Sequence, residues 1–222
     1  MNTPAVFRAF LAKDVLRELR TKETFISVAA FGFLVILVLA FALPVTPGEG
    51  EIRAAGAFWV AVLFASQVGI ARAVDVERAS GRMETILSTP ADASAIFLAK
   101  SASLSLFVSL SALILSFPLT VFYQLDPASF IATLPGTILG IIGICLAGTL
   151  LSLLASGTRM REVLAPILFL TIFVPLLLAS VAAMREALLD QPYGLAVQVL
   201  AGFDLIIGGA SILLAPYLIE EG

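Results

Sequence analysis

Asp204 is the charged residue that lies deepest inside an apolar stretch of this 222-residue sequence. A carboxylate in the middle of a bilayer costs about 2.5–3.5 kcal/mol, so such a residue usually faces a partner or a water-filled cavity. Two interpretations stay open. Asp204 is either a functional site that moves or contacts another subunit, or a structural acid that is protonated, paired with Arg185 or hydrogen-bonded to Gln198.

Other residues that usually carry chemistry are scarce. The sequence contains no histidine and a single cysteine, Cys145, which lies in an apolar run. It therefore lacks the commonest general base and metal ligand, the usual axial haem ligands, and any internal disulfide. A membrane-embedded enzyme would need paired catalytic groups, and Asp204 has no such companion. We predict that the chain is not an enzyme and binds no cofactor tightly.

Composition points to a membrane protein. Hydrophobic residues make up 60% of the chain and charged residues 13%, against about 45–50% and about 25% in soluble domains. No basic tract indicates a nucleic-acid partner. Because a helix needs about 20 apolar residues to cross a bilayer, we predict an all-α protein with six transmembrane helices. The predicted spans are Phe25–Leu43, Ala54–Ala71, Ala102–Phe122, Leu134–Ala155, Val163–Ala183 and Leu195–Ile219.

The basic residues indicate the orientation. Eleven lysines and arginines lie before the first span, in the Ala71–Ser101 loop or just after Ala155, whereas Arg53 and Arg185 are the two on the opposite face. Because basic residues accumulate in cytoplasmic loops, we expect both termini in the cytoplasm.

The segment before Phe25 has a helical pattern of its own. Its apolar residues recur near one helical face, and its charged residues Arg8, Asp14, Arg17 and Arg20 lie away from it; the apolar set is Phe7, Phe10, Leu11, Leu16 and Leu19. We predict an amphipathic helix lying in the lipid headgroup region. An ordinary polar, partly helical N-terminus is the alternative.

The longest polar interruption, "DVERASGRMETILSTPADASAIFLAK", spans Asp75 to Lys100. We expect the second helix to run past Arg72 until Gly81 interrupts it. Met83, Ile86 and Leu87 then follow the spacing of one helical face, and Thr89-Pro90 with Asp92 resembles a new helix start. The pattern predicts a short cytoplasmic helix with a fixed break at each end. Such a helix can transmit a displacement from a soluble partner to the adjoining spans. A merely solvated loop is the alternative.

Small residues recur at helical spacing in two predicted spans. Gly136 and Gly140 begin such a series in the fourth span, and serines at positions 101, 105, 109 and 116 form a stripe on the third. Small residues let helix backbones approach closely in a membrane. We interpret both stripes as packing surfaces rather than a substrate path.

The loop pattern resembles a family. The spacing Glu77-x-x-Ser80-Gly81-x-x-Glu84-x-x-Leu87-x-x-Pro90, followed by "IFLAK", is similar to the loop between the second and third spans of ABC exporter permeases. The stretches "FLAKDVLRELRTKE", "AFWVAVLFAS", "LLLASVAAM" and "FDLIIGGASILLAPYLIEE" resemble the CcmB family of the cytochrome c maturation system.

This resemblance implies one permease domain over residues 1–222, with an interfacial helix over 1–24 and a six-span bundle over 25–219, in the bacterial inner membrane. It implies a separate ATP-binding subunit, CcmA, together with CcmC, CcmD and the haem chaperone CcmE, and two copies of the chain per complex. Haem would be the ligand that is transported or handled. The sequence has no G-x-x-x-x-G-K-[ST] phosphate loop, so ATP would be bound by the partner.

The resemblance also assigns roles to residues. A coupling helix that docks on the ATPase would include Glu77, Ser80, Gly81, Arg82, Glu84, Leu87 and Pro90. Arg159 and Arg161 would form a second, smaller contact. Two other functions stay open: a permease for another substrate, such as a lipid-linked glycan, a drug or an ion, and a membrane scaffold that transports nothing.

Overall fold

A computed structural model describes residues 3–43, 49–79, 93–156, 161–192 and 194–220. Within these ranges the chain forms seven α-helices. Their bounds are α1 Thr3–Thr21, α2 Glu23–Ala42, α3 Gly50–Ala79, α4 Ala93–Tyr123, α5 Ser129–Ser156, α6 Arg161–Leu188 and α7 Leu195–Glu220. Six of them, α2 to α7, contain segments long and apolar enough to cross a membrane. The predicted all-α, six-span class is confirmed.

Most helices extend beyond the predicted spans. The helix α3 continues to Ala79, as the prediction that it runs past Arg72 requires, and α4 begins at Ala93 rather than at Ala102. The apolar count marks only the part that matches the hydrocarbon layer, whereas helical hydrogen bonding continues into more polar sequence.

The helices run alternately up and down. The phenyl rings of Phe41, near the end of α2, and Phe122, near the end of α4, lie 6.3 Å apart. At the opposite end, the Ser94 hydroxyl near the start of α4 donates a hydrogen bond of 3.0 Å to the Ile212 carbonyl in α7. We call the end that contains Ser94 and Ile212 the inner end, because the basic residues predict that it faces the cytoplasm.

The bundle is built around α5, which packs against α3, α4, α6 and α7. Its neighbours contribute the largest fully buried side chains, including Phe58, Trp59, Tyr123 and Phe173. The helices α2 and α7 have the fewest buried residues of the six spans. The bundle therefore has a crowded centre and two outer helices with apolar, uncovered faces.

The helix α1 forms as predicted. Val6 is buried, whereas Leu16 and Leu19 are each 59% exposed and Glu18 is only 5% exposed. The exposed leucines are free to face lipid, as an interfacial helix requires, and the placement of α1 in the headgroup region stays a prediction. Glu18 is covered because this half of α1 lies beside the start of α2, where free backbone N–H groups favour a carboxylate.

Candidate functional site

The predicted coupling residues lie mostly outside the described ranges. Ser80, Gly81, Arg82, Glu84, Leu87 and Pro90 all belong to residues 80–92, and Arg159 belongs to residues 157–160. Glu77 lies near the end of α3, and Arg161 is the first residue of α6. Their assignment to an ATPase contact therefore stays a prediction.

The helix that follows the predicted coupling segment is tied to two others. Its residues Ala95 and Ile96 are buried against Val6 of α1, with Phe7 and Phe10 packed beside them. The hydrogen bond from Ser94 to the Ile212 carbonyl ties the same helix start to α7. The start of α4 is thus packed against α1 on one side and bonded to α7 on another.

Glu18 connects α1 to α2. Its side chain accepts a hydrogen bond of 2.8 Å from the backbone N–H of Phe25, in the first turn of α2. Between the two helices, Lys22 adopts a left-handed conformation with φ 57°. A carboxylate at a helix N-terminus satisfies a free donor and interacts favourably with the helix dipole. Glu18 therefore fixes a sharp joint between α1 and α2.

A shallow pocket beside this joint is lined by charged residues. It is lined by Asp14, Arg17 and Glu18 of α1, by Lys100 of α4 and by neighbouring residues. Both signs of charge are present, so the pocket has no strong preference for an anionic or a cationic group.

Glycines on α5 bring α3 and α6 close. A Cβ atom at Gly136 would lie 3.1 Å from the Cβ of Ala183 in α6. One at Gly140 would overlap the Trp59 ring of α3 and the Ser180 hydroxyl of α6, and one at Gly148 would overlap Ile70 of α3. These contacts agree with the interpretation of the α5 stripe as a packing surface.

Asp204 faces the same stripe. A Cβ atom at Gly143 would lie 2.6 Å from Oδ1 of Asp204 and 2.9 Å from a methyl group of Leu176 in α6. Both carboxyl oxygens of Asp204 are buried and have no hydrogen-bond partner within the described ranges. The pairing with Arg185 or with Gln198 that the sequence left open is thus absent, and both of those side chains are exposed. Asp204 lies in the bundle against α5, without a polar partner.

Two more polar atoms near this place lack partners. The indole nitrogen of Trp59 and the hydroxyl of Ser180 are buried without a hydrogen bond among the described residues. Both side chains contact the α5 stripe at Gly140, one helical turn before Gly143. Sequence reasoning missed them, as it missed Glu18. For Trp59 a signal existed, since it is the single tryptophan of the chain and lies in a span rich in alanine and glycine.

Two of the four serines in the stripe on α4 form hydrogen bonds within their own helix, whereas the Ser101 hydroxyl is buried without a partner among the described residues. The hydroxyls of Ser105 and Ser116 donate to the carbonyls of Ser101 and Leu113. Such bonds satisfy a hydroxyl without a neighbouring helix. These two bonds leave fewer unpaired polar groups on α4 inside a membrane. They agree with the interpretation of the stripe as a packing surface.

A cleft of about 400 Å³ lies between α4 and α5 near their outer ends. Polar residues Ser109, Ser116, Thr133 and Thr137 line it together with apolar side chains such as Phe58. Among the described residues, its lining contains no histidine, cysteine, methionine or tyrosine, which are the usual protein ligands for haem iron. Within the described ranges, no group of three or more potential metal-ligating Cys, Asp or Glu side chains occurs.

Comparison with known proteins gives two findings. The family described as "CcmB protein" matches residues 5–221 of this chain. "Heme exporter protein B" of Rhodobacter capsulatus is 25% identical over 214 residues, which cover 95% of this chain and 94% of that protein. The family match covers nearly the whole sequence, and the six apolar helices fit the six-span plan that the resemblance implied. The chain therefore belongs to the CcmB family.

Proposed function

We infer that this chain is the membrane permease subunit of an ABC-type complex for cytochrome c biogenesis. A partner ATPase of the CcmA type hydrolyses ATP, and the chain ties that hydrolysis to haem export or to release of a haem-loaded CcmE-type chaperone. The substrate class is taken from the relative named "Heme exporter protein B". CcmC- and CcmD-type proteins and a second copy of the chain complete the proposed complex in the bacterial inner membrane, with both termini in the cytoplasm.

The sequence supports the proposal of a partner that binds ATP. It lacks the glycine-rich phosphate loop with its lysine that cradles the phosphates of ATP. It also lacks histidine, and its cysteine is buried, which favours energy coupling over tight haem ligation. The residues offered for docking on the ATPase are Glu77, Ser80, Gly81, Arg82, Glu84, Leu87 and Pro90, with Arg159 and Arg161 as a second contact.

One observation carries the coupling part of the proposal. The helix α4 begins directly after residues 80–92, and its start is packed against Val6 of α1 and hydrogen-bonded to α7 through Ser94 and Ile212. A displacement applied to this segment would therefore move parts of three helices together. If the start of α4 were loosely attached, it would move alone and would not transmit the displacement to α1 and α7.

The first experiment tests docking. Gly81→Trp and Glu84→Lys should reduce co-purification of the ATPase subunit several-fold and lower the amount of c-type cytochromes. Asp126→Lys is the matched control, because Asp126 is exposed at the opposite end of the bundle. Unchanged co-purification and normal cytochromes in both loop variants would contradict the proposal.

The second experiment separates docking from transmission. Val6→Asp should leave the ATPase bound but impair cytochrome maturation, because it places a charge in the contact between α1 and α4. Arg8→Ala, which changes the net charge by the same amount at an exposed position of the same helix, should retain both properties. Loss of ATPase binding in Val6→Asp would show that α1 serves docking or folding instead.

A deletion distinguishes the other functions. Loss of all c-type cytochromes supports the proposed role, whereas altered envelope integrity or drug resistance with normal cytochromes would support a permease for another substrate. An ATP turnover that is indifferent to the CcmE-type chaperone would favour a passive scaffold.

A further inference from the structure

We propose that Asp204 is a proton-binding site inside the bundle: its carboxyl group holds a proton while α7 lies against α5, and releases it when the contact at Gly143 opens. The ligand of this site is the proton itself. The proposal concerns this chain alone and does not depend on which substrate the complex handles.

The surroundings of Asp204 favour the neutral acid. Both oxygens are buried, no hydrogen-bond donor in the described ranges reaches them, and the atoms beside them belong to Gly143 and the apolar side chain of Leu176. A carboxylate buried without a charge partner or donors neutralises by taking up a proton, because removing an isolated ion from water is far more costly than protonating it.

Among the described side chains, no hydrogen-bonded charge offsets this effect. The charged or titratable residues on the helices that pack against α7 are Lys100 and Tyr123 of α4, Cys145 of α5, and Arg161, Glu162, Arg185 and Glu186 of α6; on α7 itself they are Tyr217 and Glu220. The carboxyl oxygens of Asp204 have no hydrogen-bond partner among the described side chains. Arg185 is nine residues beyond Leu176, about 13 Å along the helix, and Cys145 lies two residues from Gly143, which places it on another side of α5.

A cation from a partner subunit fits the site less well than a proton. The outer face of α7 is uncovered, with Leu205 and Ile206 exposed by 78% and 71%. The Asp204 carboxyl oxygens instead lie on the covered side, toward α5, where a partner's basic side chain would have to pass between the helices. A proton needs no such room.

Gly143 makes this arrangement possible. A side chain there would occupy the position of the Asp204 carboxyl group, so glycine leaves the space in which the acid rests. The helix α7 has few buried residues, and the contact at Gly143 is one of those that hold it against α5. Ionisation of Asp204 would therefore loosen α7, and loosening would favour ionisation.

Dicyclohexylcarbodiimide provides a direct probe. It partitions into apolar regions, and a protonated carboxyl group adds across its C=N bond: the carboxyl oxygen bonds to the central carbon and the proton goes to nitrogen, with no leaving group. We expect mass spectrometry of the full chain in its native membranes to find the adduct on Asp204, and we expect the amount of adduct to fall several-fold as the pH is raised, because the ionised carboxylate does not supply the proton. Asp204→Asn should remove this adduct, and the exposed-site variant Asp126→Asn should retain it.

A glycine pair tests the role of the contact. Gly143→Ala should displace the acid and make Asp204 reactive toward a water-soluble carbodiimide, which should not label it in the unsubstituted chain. Gly202→Ala in α7 is the matched control, because a Cβ atom there meets nothing within 4 Å. Equal labelling of the unsubstituted chain by both reagents would overturn the proposal, since the carboxyl group would then be in contact with water.

Thermal unfolding of the purified chain gives an independent measurement. The docked state holds a proton that an unfolded aspartate releases above about pH 4, so the melting temperature should fall as the pH rises. Asp204→Asn should abolish that part of the pH dependence. An adduct that does not vary with pH, or the absence of an adduct together with equal pH dependence in both proteins, would overturn the proposal.

Discussion

Glu18 and Asp204 are two acids whose carboxyl groups the fold covers, and it treats them in opposite ways. Glu18 receives the Phe25 N–H at the start of α2, where a negative charge is favoured. Asp204 receives no hydrogen bond from the described residues and rests against Gly143 and Leu176. The comparison shows that burial alone does not define the role of an acid: at the inner end a donor stabilises the charge, whereas in the bundle the surroundings oppose it.

The largest effect should come from filling the space that Asp204 occupies. Gly143→Leu would force a side chain into the acid and Leu176, and we expect a loss of about 3 kcal/mol of stability, as in other overpacked cores. The measurement is thermal unfolding in detergent, followed by circular dichroism. Gly202→Leu, which faces open space, should change little. Equal losses in both variants would show that Asp204 is not held closely by α5.

The second-largest loss of stability should come from removing the Glu18 carboxylate. Glu18→Ala leaves the Phe25 N–H without its partner, and we expect a loss of about 1–3 kcal/mol. Increased amide exchange at the start of α2 should accompany it. Arg8→Ala, an exposed change on the same helix, should stay within about 0.5 kcal/mol. An intact joint in Glu18→Ala would mean that water replaces the carboxylate there.

Replacing each acid by its neutral amide tests whether Glu18 and Asp204 differ in their need for a charge. Glu18→Gln should lose about 0.3–1 kcal/mol at neutral pH, because the amide no longer brings charge to the helix end. Asp204→Asn should be as stable as the unsubstituted chain or more stable, since its surroundings offer nothing to a charge. The reverse order of melting temperatures would contradict the roles assigned to the two residues.

The smallest effect should come from the neutral hydrogen bond at the inner end. Ser94→Ala removes the donor to the Ile212 carbonyl, and we expect a loss of about 0.5 kcal/mol, the lower end for such bonds, because the site is exposed. ATP-driven cytochrome maturation should fall more than stability does if this bond helps α4 and α7 move together. Ser116→Ala, whose hydroxyl bonds within its own helix, should affect neither.

The sequence predicted the number, type and order of the membrane-spanning helices, because apolar length and the need to satisfy backbone groups in lipid leave few alternatives. It also identified Asp204 as unusual. It did not predict that Gly143 lies beside Asp204, since contacts between α5 and α7 depend on how the helices rotate against each other. The burial of Glu18 was equally hidden, because an apolar pattern does not show which helix start will need a carboxylate.

The roles of the coupling residues cannot be judged from this chain alone. Spacing and resemblance assign Gly81, Glu84 and Pro90 to an ATPase contact, but the other side of that contact would be the surface of a partner. Their assignment therefore stays a prediction that only an assembled complex can test.

The position of Trp59 has a practical consequence. It is the chain's single tryptophan, fully buried where α3, α5 and α6 meet, with its ring against Gly140. Tryptophan fluorescence of the purified chain, excited selectively over that of its three tyrosines, therefore originates from one known place in its centre. Any rearrangement that separates these three helices should shift the emission toward longer wavelength, so conformational changes can be followed without attaching a label.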